Sequence, residues 1–406
     1  MPNCLVCENK IEPFMSFGKM PIANGFLIPA QFDNEYFFEL KVGFCAECYM
    51  VQLTEHVEQE KMFHENYAFF SSTSNWMSKH FKNVADMIMS KYLNSESPFV
   101  VEIGSNDGIM LKNIASSGVP HLGIEPSSNV AQVAKAKGIN TISKFFNEKL
   151  AASIVQEYGH ADVFYGANVM CHISYLHSIM TGIKKLLKPN GTLIFEDPYL
   201  GDIIDKTSYD QIYDEHVFYF SVSAIKKLVE QHDLEIVNVE KLSVHGGSMR
   251  YFIANKDTRK IENSVTEQLE IEKNIGIHLK PTYEKLSISI EKSKDKLLRL
   301  LKSLKEEGKT VVGYGATSKS TTVINYCGIS DELISYITDT TPIKQGKYSP
   351  GKHIPIRTHE NFTANYPDYA LLFAWNHSQE IFENERGFLK NGGKWIEYVP
   401  KVGLKE

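Results

Sequence analysis

The sequence lacks a surplus of basic residues, a long apolar run and any low-complexity tract. Its 43 Lys and Arg residues stand against 49 Asp and Glu residues, so nothing favours a nucleic-acid partner. No window approaches the roughly 18 apolar residues that a membrane-spanning helix needs. The N-terminus has no basic stretch followed by an apolar one, so we expect no signal peptide. These absences predict a cytoplasmic protein without a membrane partner.

Cysteine is also scarce, with six in the chain, yet four of the six form two CxxC pairs. The pairs are Cys4 with Cys7 and Cys45 with Cys48. Because a reducing cytoplasm disfavours disulfides, two such pairs in one short segment indicate a tetrahedral zinc site of four thiolates. Four protein ligands leave no open position, so the zinc is expected to be structural. The alternative is four unrelated buried or redox cysteines, although a redox role needs only one pair beside a helix start.

Alternating strand-like and helix-like segments fill most of the remaining chain. Apolar strands at 99–103, 121–125, 161–165 and 191–196 are separated by helix-length segments, which is the pattern of a parallel sheet. A second, smaller alternation begins near residue 310. We therefore predict an α/β protein in four parts: a zinc-binding domain (1–65), a domain with a Rossmann-like parallel sheet (66–255), a helical connector (256–309) and a smaller C-terminal Rossmann-like domain (310–406).

A glycine loop follows the first strand and precedes a helix. Its pattern, E-x-G-x-x-x-G, places Glu102, Gly104 and Gly108 where the backbone and a helix N-terminus can approach a ligand closely. It lacks the full G-x-G-x-x-G of dinucleotide sites and suits adenosylmethionine, which has no pyrophosphate. Glu125 ends the next strand, where a carboxylate can accept both ribose hydroxyls. The alternative is a tight turn without a ligand.

Titratable side chains are dense between residues 209 and 219. Tyr213, Glu215, His216 and Tyr219 combine phenols that can donate to a developing oxyanion with an imidazole that can take a proton near neutral pH. An aromatic-rich packing loop is the alternative. Other candidates for substrate contact follow a strand or accompany a glycine pair: His172, His245, Ser248 and Arg250. A lone histidine and a turn into a strand are the ordinary alternatives for these positions.

Several long and unusual sequence motifs occur in this chain in the same order as in one known family. The resemblance covers nearly the whole chain. The chain resembles the deoxysugar C-methyltransferases, which methylate C3 of a nucleotide-linked 4-keto-sugar. Besides the CxxC pairs, the strings are MPIAN (20–24), FSSTS (70–74), EIGSNDG (102–108), ANVMCHI (167–173), YDQIYDEHVFYFS (209–221), HGGSMR (245–250), GYGATSKS (313–320) and DTTPIKQGKYSPGKHIPI (339–356).

The resemblance implies that 66–255 is a class I methyltransferase domain. It also implies that the nucleotide sugar binds between this domain and the C-terminal Rossmann-like domain (310–406). It implies that Tyr213, Glu215 and His216 are catalytic, with His216 removing the C3 proton and a donor such as Tyr213 stabilising the enolate. Tyr314 and Lys319 lie in a C-terminal loop expected to hold the pyrophosphate of the sugar nucleotide. Adenosylmethionine and a structural zinc are the implied cofactors. By resemblance, the adenosylmethionine ligands are Gly104, Asn106, Asp107, Glu125 and Asn168.

Two positions depart from the family pattern. Many relatives have histidine where this chain has Asp214, and tyrosine where it has Phe69. The first adds a carboxylate beside the catalytic triplet, and the second removes a hydrogen-bond donor. An O- or N-methyltransferase on a nucleotide sugar or glycan precursor is therefore one alternative, and a non-catalytic zinc/Rossmann binding module is another. A monomer or weak oligomer is expected.

Overall fold

The N-terminal region forms a small antiparallel sheet that recruits a strand from the middle of the chain. The computed structural model describes residues 2–62, 71–73 and 75–405. Its first sheet has the order β1-β2-β3-β9, and β3 pairs with β9 at Val51 and Tyr219. The N-terminal region is thereby fixed to the segment that follows His216. The elements are β1 (Glu12–Pro21), β2 (Phe37–Phe44), β3 (Val51–Leu53), the short helix α1 (Gln59–Met62) and β9 (Phe218–Tyr219).

A seven-stranded sheet forms the middle of the molecule, in the order β10-β11-β8-β7-β4-β5-β6. The strands from β8 to β6 are parallel, and β11 and β10 extend the sheet antiparallel. Helices cover both faces, which is why β4 and most of β7 are fully buried. The strands are β4 (Val100–Ile103), β5 (His121–Ile124), β6 (Thr141–Ile142), β7 (Ala161–Ala167), β8 (Leu187–Pro198), β10 (Leu234–Leu242) and β11 (Ser248–Asn255).

Seven α-helices accompany this part of the chain within the residues that the structure describes. Two of them, α5 and α8, begin with a side chain that accepts a backbone hydrogen bond: Asn147 from Leu150 and Ser221 from Ala224. The helices are α2 (Asn75–Lys91), α3 (Leu111–Ser116), α4 (Ser128–Ala136), α5 (Glu148–Tyr158), α6 (Leu176–Leu186), α7 (Leu200–Lys206) and α8 (Val222–Glu230).

Two helices connect the middle sheet to the last one, α9 (Asn263–Ile275) and α10 (Lys280–Glu306). The buried carboxylate of Glu272 on α9 accepts from the backbone N–H groups of Val222 and Ser223, at 2.7 and 2.8 Å, and so caps α8. The apolar residues that recur along α10 lie on its buried face, as their spacing predicts: Leu286, Ile290, Leu297 and Leu301.

The C-terminal region is a second, smaller parallel sheet, in the order β14-β13-β12-β15-β16-β17, in which only β17 runs antiparallel. The predicted α/β class with two such sheets is confirmed. None of the helices within the described residues is long and apolar enough to cross a membrane. The elements are β12 (Val311–Tyr314), α11 (Ser318–Cys327), β13 (Ile337–Thr338), β14 (Ile356–Arg357), α12 (His359–Ala364), β15 (Tyr369–Leu372), α13 (Ser378–Asn384), α14 (Arg386–Lys390), β16 (Lys394–Glu397) and β17 (Gly403–Lys405).

Candidate active site

A cavity of about 310 Å³ lies where the three sheets meet. It opens at the carboxyl ends of β4, β5 and β7 and extends to the N-terminus of α11, which is where open parallel sheets place ligands. One of its lining residues, Asn24, comes from the N-terminal region. The cavity therefore joins all three parts of the chain.

The end of the cavity beside the seven-stranded sheet is shaped by the glycine loop. Gly104 and Asn106 adopt positive φ angles of 60° and 49°, which turn the chain sharply away from β4. The carboxylate of Glu125 accepts from the backbone N–H groups of Asn106, at 3.0 Å, and Ser127, at 2.8 Å. Burial raises the pKa of Glu125, and these two backbone hydrogen bonds oppose that shift. The loop and the carboxylate thus form one fixed wall.

Asn168 completes this wall from the end of β7. Its backbone has φ of 53°, and its N–H donates to the carbonyl oxygen of Glu196 at 2.7 Å. Its side-chain Oδ1 is buried and has no hydrogen-bond partner among the residues that the structure describes. A buried acceptor on a cavity wall fits a polar ligand. Phe145 and Phe146 supply an apolar wall that fits a flat ring, so these residues suit adenosylmethionine.

Three other residues assigned to the cofactor from the sequence do not line the cavity. Glu102 is buried and accepts from the backbone of Leu111, and Asp107 pairs with Lys137 at 3.1 Å. Gly108 has φ of 80°, and a Cβ there would lie 2.0 Å from Ile139. These residues shape the turn that supports the wall.

Tyr213, Glu215 and His216 come together at the centre of the molecule, but only Tyr213 and Glu215 line the cavity. His216 lies behind Tyr213. Its Nδ1 lies 2.7 Å from the carbonyl oxygen of Gln211, which can only accept, so Nδ1 carries a proton. Its Nε2 lies 2.8 Å from the hydroxyl of Tyr213 and accepts from it. Burial, together with the nearby His172, holds the pKa of His216 well below its usual value. The imidazole is therefore a neutral base with its lone pair on Nε2.

His172 also lines the cavity, with its ring centroid 5.2 Å from that of His216. Burial lowers its pKa to about 3, so it is neutral as well. Donor atoms of Cys171, His172 and His216 lie within 4.8 Å of one another. Both nitrogens of His216 are engaged in hydrogen bonds and burial raises the pKa of the Cys171 thiol, so this cluster suits a metal poorly.

The four paired cysteines are a much better metal site. Their sulfurs all lie within 4.8 Å of one another, with Cys4 Sγ 3.4 Å from Cys48 Sγ and Cys7 Sγ 3.4 Å from Cys45 Sγ. The two pairs lie at the ends of short turns that the small sheet brings together. Four sulfur donors at such spacing fit tetrahedral zinc, as the sequence predicts. Four protein ligands would leave a bound zinc no open position, so it would stabilise the N-terminal region.

The C-terminal end of the cavity carries two buried lysines. Lys319 Nζ lies 3.3 Å from the carbonyl oxygen of His245 and 5.1 Å from the ring centroid of Trp375, and burial lowers its pKa to about 8. The buried Asp210 opposes this lowering of the Lys319 pKa. Lys344, which the sequence analysis missed, donates to the carbonyl oxygen of Ala316 at 2.8 Å. No local pattern marks Lys344, because a loop after β13 brings it to the cavity.

Four residues expected to contact substrate do not line the cavity, and each is engaged elsewhere. Arg250 pairs with Glu196 at 2.8 Å and with Glu240 at 2.7 Å, because β11 places it beside both carboxylates. The Tyr314 hydroxyl donates to Glu385 at 2.7 Å, on the far side of β12. The remaining two are Ser248, whose hydroxyl donates to the carbonyl oxygen of Val244, and Tyr219, which is buried in the small sheet. His245 and Lys319 do line the cavity.

The two departures from the family pattern differ in their placement. Asp214 does not line the cavity; its Oδ1 accepts from the backbone N–H of Ala23 at 2.9 Å. Its extra carboxylate therefore contacts the N-terminal region instead of the cavity. Phe69 and the neighbouring Phe70 lie outside the described residues.

The fold and the site together define an S-adenosylmethionine-dependent methyltransferase with a zinc-binding region. Three family models match the chain: a zinc binding domain at 4–63, a methyltransferase domain at 78–239 and a C-methyltransferase C-terminal domain at 243–400. The C-methyltransferase NovU of Streptomyces niveus is 34% identical over 402 residues, which are 98% of this chain and 95% of that protein. The chain belongs to the C-methyltransferase family.

Solved methyltransferase structures resemble only part of the chain. A SAM-dependent methyltransferase from Anabaena variabilis is 16% identical, covers 44% of this chain and 86% of its own, and has a TM-score of 0.35. Magnesium protoporphyrin IX methyltransferase from Synechocystis is 13% identical, covers 44% and 79%, and has a TM-score of 0.33. At TM-scores this low the likeness supports no further conclusion.

Proposed function

We propose that this C-methyltransferase methylates C3 of a nucleotide-linked 4-keto-deoxysugar. One observation carries the proposal: a single cavity has the glycine-loop wall at one end, two buried lysines at the other, and between them the phenol of Tyr213, which is hydrogen-bonded to the neutral His216 behind it. The two ends match the two ligands that such a reaction must bring together. The pair between them matches the proton transfer that the reaction requires.

The lysine end supports a diphosphate-linked substrate. The N-terminus of α11, at Ser318, contributes oriented backbone N–H groups, and Lys319 and Lys344 add two buried positive charges. Burial lowers the pKa of both lysines, although Asp210 opposes this shift at Lys319, and Asp339, 4.0 Å from Lys344, opposes it there. A diphosphate would add negative charge beside both ammonium groups.

The chemistry begins with the C3 proton, which is acidic only if the adjacent ketone is stabilised as an enolate. In the proposed reaction the C4 oxygen of the sugar takes over the hydrogen bond that Tyr213 now donates to Nε2 of His216. Because Tyr213 now stands between His216 and the cavity, its side chain must turn towards the C4 oxygen, which opens the Nε2 lone pair to the cavity. Nε2 then accepts the C3 proton, while the Tyr213 hydroxyl stabilises the enolate oxygen. Bound adenosylmethionine would supply an electrophilic methyl group. The Gln211 carbonyl keeps His216 in the required tautomer throughout.

A transfer assay with a substrate panel tests the proposal. Protein is incubated with methyl-labelled adenosylmethionine and with nucleotide sugars that have or lack a 4-keto group. We expect label only on the keto sugars, bound to carbon. Label on oxygen or nitrogen would instead support the alternative of an O- or N-methyltransferase, and no transfer to any sugar would contradict the proposed substrate class.

Competition by a nucleoside diphosphate tests the lysine end separately. It should inhibit competitively against the sugar and leave the KM for adenosylmethionine unchanged. Lys319→Met should weaken that inhibition by about tenfold, since a charge-assisted contact is lost. Lys352→Met, at an exposed lysine of the same region, is the matched control and should inhibit like wild type.

A further inference from the structure

The segment after β1 reaches from the N-terminal region into the cavity. Asn24 on this segment lines the cavity together with Glu215, and its Nδ2 donates to Glu215 Oε1 at 2.6 Å. A carboxylate can only accept when ionised, so the amide must present its nitrogen to it. The two residues are 191 positions apart in the chain. The contact therefore depends on how the N-terminal region docks.

The neighbouring residue fixes this segment from both sides. The backbone N–H of Ala23 donates to Asp214 Oδ1 at 2.9 Å, and the Ala23 carbonyl oxygen accepts from the hydroxyl of Thr321, on α11, at 2.9 Å. Both partners are buried. Asp214 and Thr321 thus hold the backbone at Ala23, which fixes the position from which the side chain of Asn24 extends.

We infer that Asn24 is a positioning residue that holds the Glu215 carboxylate for the reaction. The zinc-binding region, which also supplies Gln59 to the cavity wall, is then part of the active site. A charge-assisted hydrogen bond to Oε1 fixes the rotamer of Glu215. The inference rests on the proposed function, in which Glu215 belongs to the catalytic group.

An isosteric change tests the role. Asn24→Asp keeps the size of the side chain but replaces the donor with a carboxylate oxygen facing Glu215. We expect kcat to fall about 10- to 100-fold, the effect of losing a hydrogen bond to a charged group, with the KM for adenosylmethionine and the zinc content unchanged. Asn24→Ala should lower kcat in the same direction. Asn34→Asp makes the same substitution at an exposed position of the same region and should behave like wild type.

A double-mutant cycle provides a readout that needs no turnover. In the double variant Asn24→Asp with Glu215→Gln, donor and acceptor are exchanged, so the hydrogen bond can form again. Urea unfolding should show that the double variant recovers most of the stability lost in Asn24→Asp alone. A merely local packing role predicts little loss in either single variant and no coupling between them, because neither change alters the volume.

The possible outcomes distinguish a failure of the positioning role of Asn24 from a failure of the proposed function. Wild-type kcat in Asn24→Asp, or strictly additive losses in the cycle, would overturn the positioning role. If wild type and Asn34→Asp transfer no methyl group to any sugar, the proposed function fails, and the Asn24–Glu215 contact is then decided by the cycle alone.

Discussion

A buried aspartate joins the segment 209–221 to the C-terminal region, and its removal should lower the stability of the protein. Asp210 is fully buried, and its Oδ2 accepts from the indole of Trp375 at 2.6 Å and from the hydroxyl of Tyr398 at 2.7 Å. The Trp375 ring also lies against Gly246, where an added Cβ would come within 2.2 Å of it, and beneath the ammonium of Lys319. Asp210→Ala would therefore loosen the contact between the two regions at the edge of the cavity.

The size of the loss follows from these contacts. Two hydrogen bonds to a carboxylate contribute about 1.5–3 kcal/mol each. Part of this loss is offset, because the variant no longer has to bury the Asp210 carboxylate, whose pKa burial raises. We expect Asp210→Ala to lower the free energy of unfolding by about 2–4 kcal/mol, and Asp210→Asn, which keeps one acceptor oxygen, by about 1 kcal/mol.

Urea unfolding followed by tryptophan fluorescence measures both variants. Trp375 is one of only three tryptophans, so the emission reports on this interface. Asp331→Ala, at an exposed aspartate of the same region, is the control and should match wild type within about 0.5 kcal/mol. If Asp210→Ala were as stable as this control, the interface described here would not hold the regions together.

Three further outcomes follow from the site. His216→Asn should retain adenosylmethionine binding in calorimetry but lose methyl transfer. Because burial keeps His216 neutral, the kcat/KM of the wild-type protein should stay level through pH 6.5, and a decline centred there would contradict this assignment. Cys45→Ser should lower bound zinc and the thermal midpoint, and a fully stable, metal-free native protein would rule out the zinc assignment. Burial raises the pKa of Asp214, so the folded state binds a proton on this carboxyl group more tightly than the unfolded state does. The contribution of Asp214 to the free energy of unfolding therefore falls as the pH rises above about 4. Asp214→Asn keeps an acceptor for the Ala23 N–H, so its unfolding free energy relative to wild type should rise with pH, and a constant difference would argue against this reasoning.

Features that depend on residues close together in the chain could be predicted from the sequence. The strand before Gly104, the carboxylate of Glu125 one strand later and the paired cysteines each depend on local spacing, which the backbone geometry converts directly into position. The alternation of strands and helices likewise predicts two parallel sheets. The grouping of Tyr213 with His216 could also be predicted, since they are three positions apart.

Long-range pairing could not be predicted in the same way. The sequence does not show that Arg250 is neutralised by Glu196, or that Tyr314 bonds Glu385 on the far side of its strand. Nor does it show that Tyr213 stands between His216 and the cavity. Each depends on which polar groups are buried together, and burial is set by packing between distant segments. Asn24 and Lys344 were missed for the same reason.

The fate of the hydrogen at C3 tests the central claim most directly. A 4-keto nucleotide sugar carrying deuterium at C3 is incubated with the protein and adenosylmethionine, and the product is analysed by mass spectrometry and NMR. The account predicts a product that has gained a methyl group on C3 and lost the deuterium, with no such product from His216→Asn. A methylated product that keeps its C3 deuterium would contradict it.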